Sequence, residues 1–118
     1  MKIRFLCVCM ATVGLVGCAS DPAPSEQMKL TEQALHQARA VGADAQEQPA
    51  MEQATTKFAQ ARADMLAQSY KQARMQAEQA ELDARLAEAR VLTVKSEEQR
   101  AQLETRLERL RKQLKEAQ

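Results

Sequence analysis

Apolar residues along this chain change their pattern twice. Between positions 5 and 16 they run almost unbroken, as Phe5-Leu6-Cys7-Val8-Cys9-Met10-Ala11-Thr12-Val13-Gly14-Leu15-Val16. Positions 19–25 carry two prolines, an aspartate and no apolar repeat, and read as a short extended linker. From position 26 onward apolar residues recur every three or four positions, the repeat of a helix buried on one side. The residues around them are mostly Ala, Gln, Glu, Arg and Leu, which are strong helix formers. Strand signals are absent, so the pattern predicts an all-α chain.

Punctuation divides the helical part into three. The first helix is expected over 26–41, with Ser25 as N-cap and Gly42 at the left-handed position past its end. Met28, Thr31, Leu35 and Ala38 share one face. The second is expected to begin at Pro49, where a missing N–H costs nothing, although Asp44 with Glu47 offers a capping box slightly earlier. Met51, Ala54, Phe58, Ala61 and Met65 then form a regular stripe. The following Leu66-Ala67-Gln68-Ser69-Tyr70 holds neither Gly nor Pro. The residues alone leave open one continuous helix or a corner capped by Ser69 with Tyr70 packed over it.

The third stretch runs from Tyr70 almost to the end without a Gly or Pro. Its first half carries Tyr70, Ala73, Ala77, Ala80, Ala84 and Ala87, small residues that let helix backbones approach closely, with a second stripe of Met75, Leu82, Leu86 and Ala89 beside it. Its last part carries Leu103, Leu107, Leu110, Leu114 and Ala117, an a/d seam. Thr93, Ser96 and Arg100 occupy the same seam between the two and weaken it there.

Lengths then fix the architecture. At 1.5 Å per residue the third helix is roughly 70 Å long and the first two roughly 25–30 Å each. The short pair covers only the start of the long helix, so the part beyond about Arg90 projects. The expected fold is a helical hairpin packed on the start of one long C-terminal helix that extends as a coiled coil, with a three-helix region at 26–92 and an extension at 93–118. Four leucines on the extension would each gain about 1.5–3 kcal/mol on burial. A partner helix is implied, from another copy or another envelope protein. Up-down-up packing makes the first and third helices parallel and sends the C-terminus away from the N-terminal end. That far end is basic, with Arg100, Arg106, Arg109, Arg111, Lys112 and Lys115 against Glu104, Glu108 and Glu116. Such a stretch is usually a solvated coiled-coil face, with Glu108 free to pair with Arg111 and Lys112. The alternative is contact with an anionic partner such as peptidoglycan, lipopolysaccharide or an acidic protein.

Charge and cysteines change the picture at the N-terminus. Lys2 and Arg4 precede the apolar run without an acidic residue, which makes 1–17 a secretory signal. The run is too short for a spanning helix, which needs about 20 apolar residues. It ends Leu15-Val16-Gly17-Cys18, which resembles the lipobox of bacterial lipoproteins. The resemblance implies cleavage before Cys18, diacylglycerol on its thiol and acylation of the new amino group, so that 18–25 is a lipidated cysteine and linker. One acyl chain anchors a protein marginally, two or more stably, and that family's modification supplies three. Cys7 and Cys9 leave with the signal, and no pair remains for a disulfide. Ala19 and Ser20, rather than Asp, follow the cysteine, which by the same resemblance implies the outer membrane, periplasmic face. Removing Lys2 and Arg4 moves the formal charge from +1 to −1, too balanced for a nucleic-acid partner.

A second resemblance covers most of 26–92. Phe58-Ala59-Gln60-Ala61-Arg62-Ala63-Asp64-Met65-Leu66, Tyr70-Lys71-Gln72-Ala73-Arg74, and Ala77-Glu78-Gln79-Ala80-Glu81-Leu82-Asp83-Ala84-Arg85-Leu86-Ala87 together resemble a family of Ala-rich helical lipoprotein domains. That family is often fused to, or encoded beside, OmpA-type peptidoglycan-binding domains. The likeness implies a three-helix fold and an envelope location, with an OmpA-type protein among the partners to expect. Gln68-Ser69 stands where the family pattern has Gly-Asp before Tyr70, so the resemblance does not fix how sharp that turn is. No OmpA-type segment is read after the helices, and the last residues, Lys115-Glu116-Ala117-Gln118, depart from the Lys or Arg-Lys ending of a Braun-type tether.

Chemistry is sparse. His36 is the only histidine, and a zinc site needs three or four converging ligands, so it reads as a solvated helix residue. No Gly-rich phosphate loop and no Ser/His/Asp or Cys/His set is present, so no enzyme and no metal or other cofactor is expected beyond the lipid on Cys18. Met28, Met51, Met65 and Met75 fit a flexible core. A structural or interaction role follows, with a helical-repeat-like module holding a peptide or lipid as the alternative. A single repeat unit lacks the continuous core that about three supply.

Overall fold

A computed structural model describes residues 21–44 and 49–117. It contains three helices, α1 (Ser25–Ala40), α2 (Pro49–Leu66) and α3 (Tyr70–Glu116), and no strand among the described residues. The arrangement is the expected one. α1 and α2 pack side by side against the first half of α3, and α3 continues past them. Residues 92–117 are exposed throughout.

Alanine dominates the core. Ala73, Ala77, Ala80, Ala84 and Ala87 of α3 are completely buried, and the last four cluster with Ala34, Leu35 and Ala38 of α1 and Met51, Ala54, Phe58 and Ala61 of α2. A core this thin gains little from each side chain. Its advantage is close approach of the backbones. Thr31 exploits that approach: its hydroxyl lies 2.8 Å from the Gln27 carbonyl and 2.9 Å from the Ala77 carbonyl across on α3, and donates to one at a time. Gln27 also donates to Glu81 at 2.7 Å, and Lys57 of α2 reaches Asp83 at 2.6 Å. Arg62 pairs with Glu32 of α1 at 3.0 Å and lies over the Phe58 ring at 4.6 Å.

Both helix ends at the corners are closed by the same backbone device. At the end of α1, Gly42 (φ +96°) donates to the Arg39 carbonyl and Ala43 to the Ala38 carbonyl, both at 2.9 Å. At the end of α2, Gln68 (φ +58°) donates to Met65 at 3.1 Å and Ser69 to Asp64 at 2.9 Å. This is the Schellman pattern, in which a left-handed residue lets two N–H groups turn back to the last carbonyls. The chain therefore turns sharply at 67–69 although Gly is missing, and one continuous helix is ruled out. Ser69 stands at the start of α3 through its carbonyl, which accepts the Ala73 N–H at 2.9 Å, and makes no side-chain cap. Ser25 makes no cap either. α1 begins one residue earlier than expected, with Pro24 as the flanking residue whose carbonyl accepts the Met28 N–H at 3.0 Å. α2 begins at Pro49.

Candidate interaction surface

Two apolar stripes run along α3, and they do not lie side by side. At about 100° per residue, Met75, Leu82 and Leu86 sit roughly 160° around the helix from the buried alanines. All three are exposed, Leu82 to 67%. The expectation that Met75 belongs to the core and that this stripe adjoins the alanine face is therefore corrected. Small side chains win the inner face because helices can approach closely only there; leucines in that place would hold α1 and α2 away.

Continued at the same three- and four-residue steps, the outer stripe runs through Gln79, Ala89, Thr93, Ser96 and Arg100 into Leu103, Leu107, Leu110 and Leu114. These last four stand on one face of the projecting helix and are each more than half exposed. Glu104, Arg106, Arg111 and Gln113 flank them. Lys112 turns to Glu116 at 3.9 Å rather than to Glu108, and Arg100 to Glu104 at 3.7 Å, exposed pairs of the kind worth a few tenths of a kcal/mol each. Sequence reading joined Thr93, Ser96 and Arg100 to the distal leucines but did not join Met75, Leu82 and Leu86 to the same seam. The signal was present in the shared spacing, but periodicity does not reveal which of two apolar faces a helix buries.

The projecting arm starts where α1 ends. Val91 is half-buried against the body. Lys95 extends its ammonium to the Val41 carbonyl at 2.7 Å, a cation on the negative end of α1.

At the opposite end of the body, Ser25, Met28, Arg62, Met65 and Leu66 line a shallow, mostly apolar groove. Leu66 is 89% exposed there. The start of α1, the end of α2 and the start of α3 all meet at this end, where Arg74 donates to the Pro22 carbonyl at 3.4 Å. Leu15, Val16, Gly17 and Cys18 of the lipobox-like motif lie outside the described residues. His36 is exposed on α1. Among the described residues no three His, Cys, Asp or Glu side chains gather where a metal ion would be held, and no helix is long and apolar enough to cross a membrane.

Comparison with known proteins agrees with this geometry. No curated protein matches the chain. A crystal structure of a DUF4398 family protein from Pseudomonas aeruginosa PAO1 is 58% identical in sequence and superimposes with a TM-score of 0.77, covering 82% of this chain and all of that one. Residues 26–103 match the family itself, described as a domain of unknown function. That span takes in α1, α2 and α3 as far as the first leucine of the projecting seam, and on this ground the chain belongs to the DUF4398 family.

Proposed function

We propose that this protein is a structural or interaction lipoprotein of the bacterial envelope, anchored through acylated Cys18 at the periplasmic face of the outer membrane and recruiting a helical partner through α3. The observation that carries the reading is the exposed seam. A projecting helix that offers Leu103, Leu107, Leu110 and Leu114 on one face, each more than half exposed, gains most of its stability from a second helix. The anchor is supported by the apolar run and Leu15-Val16-Gly17-Cys18. The apolar groove of Met28, Met65 and Leu66 supports it too, because it opens at the end of the body to which the linker leads. The reading includes no catalytic step, no metal and no nucleic acid, and lipid is the sole attached group.

Two measurements test it. Cys18→Ser is expected to move the full chain from the membrane fraction to the soluble periplasm. A photo-reactive side chain installed at position 107 of the full chain in cells is expected to give adducts of higher mass, lost when Leu103→Asp and Leu114→Asp are added. A chain that stays membrane-bound without Cys18 defeats the anchor. Absence of any adduct from position 107 defeats the seam.

A further inference from the structure

We propose that the seam's partner is a second copy of this chain, with the two α3 helices antiparallel and in the register that sets Leu86 of one against Leu110 of the other. The inference rests on the reading of the seam as a partner-binding face and adds the occupant, its direction and its register.

Charge complementarity decides the direction. In a coiled coil the residues flanking the seam face their counterparts across the interface. A parallel, in-register pair would set Glu78 against Asp83, Arg85 against Arg90 and Arg106 against Arg111, and would stack Arg100 on Arg100 within the seam itself. Every charged flanking pair would be of like sign, and like charges juxtaposed across an interface are repulsive.

Antiparallel pairing leaves a single like-charge flank pair in one long register, against three in the parallel one. Leu82 then meets Leu114, Leu86 meets Leu110, Ala89 meets Leu107 and Thr93 meets Leu103. A small residue faces a large one wherever the seam is not leucine on both sides. The flanks give Asp83 with Arg111 and Arg90 with Glu104, each twice by symmetry. At the centre Glu97 meets Glu97 of the other copy, and Arg100 of each copy lies beside Ser96 and Glu97 of the other, so two arginines offset two glutamates at the two-fold axis. Of the polar residues that weaken the seam in a single chain, Ser96 and Arg100 are thereby set against each other, while Thr93 faces Leu103. Arg90, Glu97 and Arg111 form no ion pair with the described residues of their own chain, whereas Asp83 already meets Lys57 and Glu104 meets Arg100, so each of these two carboxylates is shared between two cations in the pair. A shift of one heptad in either direction fails. One sets Arg90 against Arg111 and Glu97 against Glu104; the other sets Asp83 against Glu104 and Arg85 against Arg106.

Geometry permits the pairing. α1 and α2 occupy the alanine face of α3, and the seam lies on the far side. The overlap from 79 to 117 is roughly 60 Å long, and it covers Leu82 and Leu86 as well as the four distal leucines.

The test uses the full chain produced in the bacterial envelope as two differently tagged copies, one carrying Leu86→Cys and the other Leu110→Cys, under mild oxidation. Both positions are exposed, so neither change disturbs the body. A disulfide-linked dimer bearing both tags is expected, at least tenfold more abundant than the dimer from either variant alone. Self-linked Leu110→Cys overturns the direction. A mixed dimer from Leu107→Cys with Leu110→Cys, in place of the expected pair, overturns the register. Charge reversal gives a second readout: Arg90→Glu or Glu104→Arg alone is expected to weaken self-association several-fold, and the two together to restore it. Adducts at position 107 that contain only other proteins overturn the second copy while leaving the seam reading intact, and no adduct at all defeats both.

Discussion

Among the described residues, the only fully buried polar side chain is Thr31, and its hydroxyl lies 2.9 Å from the carbonyl of Ala77 across the α1–α3 contact. Replacing it with valine keeps the shape and removes the donor. Thr31→Val is therefore expected to lower the stability of the monomer by about 1 kcal/mol, read as an earlier urea midpoint with an unchanged slope. Gln68 is the opposite case. It holds a left-handed backbone at φ +58°, where a Cβ is unfavourable and glycine is not. Gln68→Gly is expected to raise stability by about 0.5–1 kcal/mol, the strain relieved outweighing the entropy added to the unfolded chain. Glycine at Gly42 already solves the same problem for α1. Gly42→Ala is expected to cost about 1 kcal/mol, even though the nearest atom to an added Cβ, the Lys95 Nζ, is 3.9 Å away. The penalty lies in the backbone, not in a clash, and thermal denaturation of the two variants should show opposite signs.

α3 carries two faces whose tolerances differ sharply. On the inner face an added methylene has nowhere to go, so Ala80→Leu is expected to destabilise the body by about 1–3 kcal/mol or to separate α1 from α3. On the outer face Leu107→Ala is expected to leave the monomer's stability within about 0.5 kcal/mol while weakening self-association, a contrast that denaturation and sedimentation measure independently. The elements themselves were largely legible. Gly42 and Pro49 dictate backbone geometry whatever surrounds them, and they mark the end of α1 and the start of α2 within a residue or two. The four distal leucines announced their seam through spacing alone. The residues at 67–69 alone left the break open beside a continuous helix, because glutamine has no preference for a left-handed backbone; the family resemblance is what implied three helices. The outward direction of Met75, Leu82 and Leu86 was equally hidden. An apolar period marks a face, and only the competition between small and large side chains for the inner contact decides which face is covered.

At the scale of the whole molecule, stability is distributed along an axis. The body joins three helices through buried contacts, whereas residues 92–117 hold their shape by backbone hydrogen bonds in open water. Single helices of this length in water open readily. Amide hydrogen exchange at low protein concentration is expected to show protection across α1, α2 and residues 73–91, falling steeply beyond Lys95, and protection of the arm is expected to rise with concentration as the seam is covered. The alanine face has a further consequence in the language of heredity. An alanine codon lies one base change from valine, threonine, serine, glycine, proline and either aspartate or glutamate. Each of these makes the residue larger, or polar, or a poorer helix former. Ala73, Ala77, Ala80, Ala84 and Ala87, with the equally buried Ala38, Ala54 and Ala61 of the facing helices, would then be the positions at which random mutation is least forgiven.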